Sequence, residues 1–415
     1  MRGYLRLITA SAASLVTLGL AAPASGQARP TINLNCARGQ SLAAAVGFAS
    51  PNTLINIKGT CPGPIVITTA GLQLNAVGTA GINGGGKDAV TISGARGVVL
   101  SGLAIAGGGN GVVAVNVAQV TLLNDSVSGN TVSGILAEVS SSVTVNGGFS
   151  KNNGFHGIDV ESTSALVVTG SYGIAANGVF GINVNNGSSL TLMGATLAIS
   201  NNTLGLQMGT NASGFLDGQS SLNSSQNLSD GITLVSGSHM VDFGGTIIAS
   251  ENRIHGISLN SKAGLDLDAG SQVTTNDNVQ DGVHLEQSSV MTIFNNPQFS
   301  QVSTATNLVT ELNGNNGIHL LTGSRILVDN YAEVNVQSNQ QGGIILDDGS
   351  SLSFGQTIPV SGVTSFVAFN NALGGPDVGL TFGSHLTYMG NDTLETITCD
   401  ASSQIRGPGA PTCPH

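Results

Sequence analysis

Four of the seven histidines in this 415-residue chain stand at two fixed offsets from a recurring glycine, with carboxylates beside them. The residue before that glycine runs Ser133, His156, Phe180, Leu204, Asp230, His255, Asp281, Asn316. The second residue after it runs Leu136, Asp159, Asn183, Gln207, Thr233, Ser258, His284, His319. Read down these two columns, the ionisable groups fall into two clusters. The larger joins Asp230, His255, Asp281, His284 and His319, with Glu286 two residues beyond His284. The smaller joins His156, Asp159 and Glu161, with Glu138 one repeat earlier. A carboxylate beside an imidazole tunes a general acid or base near neutral pH. Histidine and aspartate on neighbouring strands equally suit a divalent cation, although no sequence motif names a metal and no cofactor is required. Outward strand positions are polar in any case, so a plain solvated face is the competing reading. Against it, only 8% of the chain is charged, and concentration in two columns is then informative.

The glycine belongs to a repeat. Asn-x-x-x-Gly followed by an apolar residue occurs nine times between Asn130 and Gly343, at intervals of 23, 24, 24, 26, 25, 26, 35 and 26 residues. The asparagines are Asn130, Asn153, Asn177, Asn201, Asn227, Asn252, Asn278, Asn313 and Asn339. A period in the twenties with one fixed turn predicts a solenoid, each repeat one coil stacked on the last. After each glycine the residues alternate, as in Gly-Ile-Asp-Val at 157–160 and Gly-Ile-His-Leu at 317–320. That period of two predicts a strand with one buried face. A second strand follows, as in Ser-Val-Thr-Val at 142–145 and Arg-Ile-Leu-Val at 325–328. The period leaves no room for a crossover helix, so like strands stack on like strands in parallel. The asparagine reads as a ladder, its amide satisfying turn groups in the coils above and below. The glycine is expected to take a backbone angle that a Cβ hinders.

Asparagine ladders on coils of this length resemble the right-handed parallel β-helix of the pectate-lyase-like superfamily, over roughly residues 35–395. The resemblance implies an all-β fold of roughly twelve or thirteen coils with an N-terminal capping helix. It also implies a groove that matches a polymer, polysaccharide first. The catalytic signatures of its better-known branches are absent. Of the polygalacturonase motifs, Asn-Thr-Asp, Gly-His-Gly and Arg-Ile-Lys do not occur and Asp-Asp stands alone at 347–348, while the Asp-Pro-His-Asp of alginate epimerases is absent.

Composition fits such a coil. The chain is 40% apolar but only 4% aromatic, with no Trp, as a narrow interior of Val, Ile, Leu and Ala requires. Net charge is −11 and no basic stripe exists, which argues against nucleic acid and anionic membranes as partners. Met1–Gly26 reads as a secretory signal peptide, with Arg2 and Arg6 before an apolar stretch and Ala-Pro-Ala-Ser-Gly after it. No later segment is long and apolar enough for a transmembrane anchor. The expected location is therefore extracellular or periplasmic. Four cysteines in an exported chain imply disulfides. In a stack of coils spaced ~4.8 Å apart the two ends cannot meet, so Cys36 should pair with Cys61 and Cys399 with Cys413. The organisation expected is a signal peptide at 1–26, a cap at 27–63, the β-helix at 64–395 and a tail at 396–415. Within the cap, Ser41 and the apolar residues after it predict a short helix plugging the first coil.

Two coils, 282–316 and 343–378, are each about ten residues longer than their neighbours, with the excess near 297–309 and 356–366. Loops inserted at one phase project on one side, where binding surfaces form. Phe299 lies in the first and Tyr331 in the coil between them, placed to stack on a sugar. The sequence thus supports a secreted β-helix that binds or acts on a polysaccharide, by lyase or hydrolase chemistry if it is an enzyme. The competing function is a non-catalytic, adhesin-like surface protein, favoured by low charge and the missing motifs.

Overall fold

The computed structural model describes residues 29–295, 305–329, 332–354, 365–369, 371, 376–387, 393–394, 396–407, 410 and 412. The expected signal peptide lies outside the described residues, as do Phe299, Tyr331, Cys413 and most of both long-coil insertions.

The chain winds as a parallel β-solenoid of about 13 turns. One sheet has 14 strands, one per coil, from Ile65–Ile67 to Ile397–Cys399. A second, of 24 strands, carries the remaining two strand runs of each coil. Most early coils make those two runs as one long strand, such as Ala165–Ala175 or Ser189–Ser200, bent at a register shift, although Val98–Ser101 and Ala104–Ala106 are separate. Later coils break it in two, as in Ser213–Leu216 and Ser221–Ser225. The alternation read from the sequence decides which side is buried. Ile135, Ile158, Ile182, Leu206 and Ile232 stack in register inside the coil, fully buried. Each such aliphatic side chain contributes about 1.5–3 kcal/mol on burial.

The asparagine ladder is present and longer than the repeat motif predicts. The Oδ1 of Asn153 accepts the backbone N–H of Asn130 and its Nδ2, at 3.2 and 2.9 Å. The same double bond recurs through Asn177, Asn202, Asn227, Asn252, Asn278, Asn313, Asn339 and Asn371. One member differs from expectation. Asn202, buried, occupies the rung, while Asn201 is exposed with φ +56°. That coil simply closes its turn one residue shorter before Gly205.

The repeat glycines also serve a different purpose from the one expected. Positions such as Gly181, Gly205 and Gly231 do not adopt positive φ; space excludes a side chain instead. A Cβ on Gly205 would lie 2.3 Å from the carbonyl oxygen of Gly231 and 1.9 Å from Ser224 Oγ. Close approach of successive coils, not backbone angle, requires glycine there. A serine column at another corner was not foreseen. Ser141, Ser164 and Ser188 are buried; the backbone N–H of Ser141 donates to Ser164 Oγ and that of Ser164 to Ser188 Oγ, each at 3.1 Å.

At the N-terminal end, Thr31–Asn35 pairs with Leu54–Pro62, and the helix Leu42–Phe48 buries Leu42 and Val46 over the first coil. Ser41 caps it, its hydroxyl accepting from Ala44 N–H at 3.2 Å. Cys36 and Cys61 are disulfide-bonded, as predicted. Cys399 is also in a disulfide. Beyond 396 the chain is more regular than the tail expected there. Ile397–Cys399 pairs with Val378–Leu380, and Gln404–Arg406 with His385–Thr387. No helix among the described residues is long and apolar enough to cross a membrane.

Candidate functional site

The two sequence columns lie on the outer side of the 14-stranded sheet. Strand Val283–Leu285 turns Val283 and Leu285 inward, which leaves His284 outward, and Asn316–Leu320 does the same for His319. Register is continuous: Asp159, Asn183, Gln207, Thr233, Ser258, His284 and His319 stand side by side on successive coils. At two of the bends leading into the strand, the residue before the glycine reaches the outward residue three positions on. Asp230 Oδ2 accepts from Thr233 Oγ1 at 3.0 Å, and Asp281 Oδ2 lies 3.0 Å from His284 Nδ1.

The larger cluster converges on one carboxylate. Asp281 is 2% exposed. Its Oδ1 accepts both the backbone N–H and the side-chain Nδ2 of Asn316, each at 3.0 Å. Its Oδ2 faces three imidazoles, lying 3.0 Å from His284 Nδ1 and 3.5 Å from both His255 Nδ1 and His319 Nδ1. The His255 and His284 rings stack at 4.3 Å, while His284 meets His319 edge-on at 5.4 Å. Asp230 joins through its Oδ1, which accepts the backbone N–H of His255 at 3.0 Å. Glu286 lies 4.0 Å from His284 Nε2 and accepts from Asn260.

Asp347 completes the cluster and escaped the sequence reading. Its Oδ2 lies 3.2 Å from His319 Nε2, so that imidazole bridges two carboxylates. Asp347 stands four residues after its glycine, the offset that also holds Glu138, Glu161 and Glu286. Reading that third column would have found it.

Electrostatics separate these groups. Burial by itself would raise the Asp281 carboxyl, but the hydrogen bonds from His284 and His319 outweigh it and hold the group well below the usual carboxylate range. For His319, burial opposes protonation, yet bonds and charges of Asp281 and Asp347 prevail and raise it. His255 is driven down, first by burial and then by the charge of His284. Two imidazoles on one face thus favour opposite protonation states, the condition for an acid and a base at a single pH.

The smaller cluster comes together only in part. Asp159 accepts from Asn183 Nδ2 at 2.8 Å, and burial, with Glu161 and Glu138 adding to it, pushes its carboxyl up to about 6. His156 is apart from these acids. Its ring stacks on Phe180 at 4.9 Å and tilts against Phe155 at 4.2 Å. Its Nδ1 accepts the Phe180 backbone N–H, and burial lowers it to about 4. A neutral imidazole packed between phenylalanines is a filler of its column, not a partner of Asp159.

Between the clusters runs a strip of amides and hydroxyls: Asn183, Gln207, Thr233 and Ser258. Asn183, Thr233 and Ser258 are only 5%, 9% and 8% exposed although they point out of the coil. The strip is therefore recessed. From Asp159 to His319 it spans six steps of ~4.8 Å, roughly 29 Å.

No protein-family model and no curated protein matches the chain. Among solved structures it is similar to a mutant of the periplasmic alginate epimerase AlgG, at 10% identity and a TM-score of 0.37, covering 91% of this chain and 82% of that one. A pectate lyase is matched at 14% identity and TM-score 0.25, over 91% and 81% of the two chains. The surface adhesin PfbA of Streptococcus pneumoniae is matched at 10% identity and TM-score 0.33, over 84% and 91%. Likenesses at this level concern architecture and say nothing of activity.

Proposed function

We propose that this solenoid is an exported protein that binds an extended polysaccharide along the outer side of its 14-stranded sheet, with the Asp281 cluster as its reactive end. The observation that carries the reading is the recessed polar strip leading from Asp159 to His319. Its amides and hydroxyls offer both donors and acceptors, as sugar hydroxyls demand, and its near-absence of charge suits a neutral chain. Its length matches a linear polymer better than a small molecule. The Cys36–Cys61 bond supports an oxidising compartment. At the reactive end His255, biased toward the neutral form by burial, is the group suited to accept a proton, and His319, whose protonated form Asp281 and Asp347 favour, is suited to donate one. Phe299 and Tyr331 remain proposed stacking residues.

Screening the mature protein against plant, algal and bacterial glycans tests the idea, by binding calorimetry and by release of new chain ends. The double substitution His284→Ala and His319→Ala should lower any turnover by 10²–10⁴-fold, the range for loss of acid–base groups. His156→Ala should leave it unchanged. Full activity in the double variant would remove the cluster from the mechanism. A second reading, a non-catalytic adhesin-like protein, is favoured by the exposed apolar residues Val132, Phe155, Leu228 and Val279 near the ladder turn. Absence of any glycan binding by the unmodified protein would select it.

A further inference from the structure

We propose that His255, Asp281 and His284 form a binding site for one divalent transition ion of the zinc class, with one coordination position left to water or substrate. The proposal goes beyond the polysaccharide reading and stands on the donor set alone.

Each of the three residues offers a donor atom, and these atoms lie within 4.8 Å of one another. Bonds of ~2.1 Å at tetrahedral angles put neighbouring ligand atoms about 3.4 Å apart. The Asp281 Oδ2 to His255 Nδ1 separation is 3.5 Å and that to His284 Nδ1 is 3.0 Å. The His255 and His284 rings stack nearly parallel, so closing a site around an ion requires them to turn until each lone pair points at it.

The surroundings are those of a ligand set. Asn316 holds Asp281 Oδ1 with two bonds, which fixes the carboxylate and leaves Oδ2 as the outward donor. Among the described residues the ion-pair partners of this buried carboxylate are the three histidines, not a Lys or Arg. A dication at Oδ2 would supply a fixed positive charge. His255 is biased by burial to the neutral form that ligates. Its Nδ1 gives up only a long contact, 3.3 Å from the backbone N–H of Asp281. Two imidazole nitrogens and one carboxylate oxygen favour zinc-class ions over calcium or magnesium, which take oxygen. Three protein ligands leave the fourth position for water or a substrate oxygen. His319, with Asp347 3.2 Å from its Nε2, lies beside this donor set, its Nδ1 3.5 Å from Asp281 Oδ2.

Binding must also move a proton. His284 Nδ1 and Asp281 Oδ2 share a 3.0 Å hydrogen bond, and an ion bound to both atoms takes the place of its hydrogen, which goes to solvent. Affinity should therefore fall as pH drops, with Asp230, Glu286, His319 and Asp347 as the other titratable groups facing the site.

The test uses the full mature chain, freed of metal by chelation and dialysis, and titrated with Zn²⁺, Co²⁺ and Ca²⁺. Expected are one Zn²⁺ per chain, proton release that varies with pH in calorimetry, and a visible Co²⁺ absorption spectrum of low-symmetry coordination. His255→Ala and His284→Ala should each weaken Zn²⁺ binding at least 100-fold. His239→Ala, on the other sheet, should not. Circular dichroism and melting check that each variant folds, and His284→Gln replaces any that does not. Absence of stoichiometric Zn²⁺ binding, equal binding by the folded variants, or preference for Ca²⁺ would each overturn the proposal. Glycan binding by the metal-free protein would leave the earlier reading standing.

Discussion

Buried carboxylates in this solenoid divide by what faces them. Asp281 faces imidazoles and is held low. Asp125 and Asp242 face mainly N–H groups, and burial prevails. Asp125 accepts from the backbone N–H groups of Leu103 and Leu123, yet desolvation pushes it up to about 7, and Asp242 likewise. The two kinds act on stability with opposite sign. Asp281, depressed in the fold, contributes stability that is present above the unfolded value of ~3.9 and is lost as pH falls through its folded value. Asp125 keeps its proton in the fold after the unfolded chain has lost it. Its contribution is whole below ~4 and declines as pH rises through about 7. Replacing it by Asn removes the ionising group, so the melting temperature should lose much of its downward slope between pH 4 and 7. An unchanged slope in a melting series across that range would refute the assignment.

At the scale of the turn, Asn201 and Asn202 separate a rung from its neighbour. Asn202 is buried, and its amide serves Asn177 on one side and Asn227 on the other. Asn202→Ala should cost about 1–3 kcal/mol by orphaning turn groups. Asn201→Gly, which keeps the left-handed turn, should be nearly silent in denaturant unfolding. Equal losses would show that the rung is misassigned. This turn also shows what the sequence can and cannot tell. Spacing alone revealed the ladder, because a side chain that bonds its own copy in the next coil must recur at the coil length. It could not choose between two adjacent asparagines. The serine column was hidden because serine is common at every corner, and buried and exposed serines look alike. The histidine columns were legible because strand alternation puts every second residue on one face. Asp347 was missed because it enters from two residues further along the strand, and the separation of His156 from Asp159 depended on packing that no column displays.

Along the whole molecule each coil touches only its neighbours, so stability should vary with position. Reduction of Cys36–Cys61 should therefore raise hydrogen exchange in Thr31–Asn35 and Leu54–Pro62, while the rungs from Asn227 to Asn313 keep their protection. Uniform loss along the stack would argue for a single cooperative unit instead.

The ladder, finally, has a direction and an end. Every rung points its N–H groups toward the C-terminal neighbour and its oxygen toward the N-terminal one, so the amide dipoles add along the axis. The row starts with Asn130 Oδ1 accepting from Gly108 N–H and finishes when Asn371 donates twice to Asp377 Oδ1. A carboxylate can receive those bonds but has no hydrogen to pass on. Its negative charge meets the positive pole of the row, as an acidic residue does at the start of a helix. Its other oxygen is taken by Thr396 N–H and Oγ1, both at 2.9 Å. One atom's difference between Asp and Asn thus acts as a stop: it closes a row that an amide would have left asking for another coil.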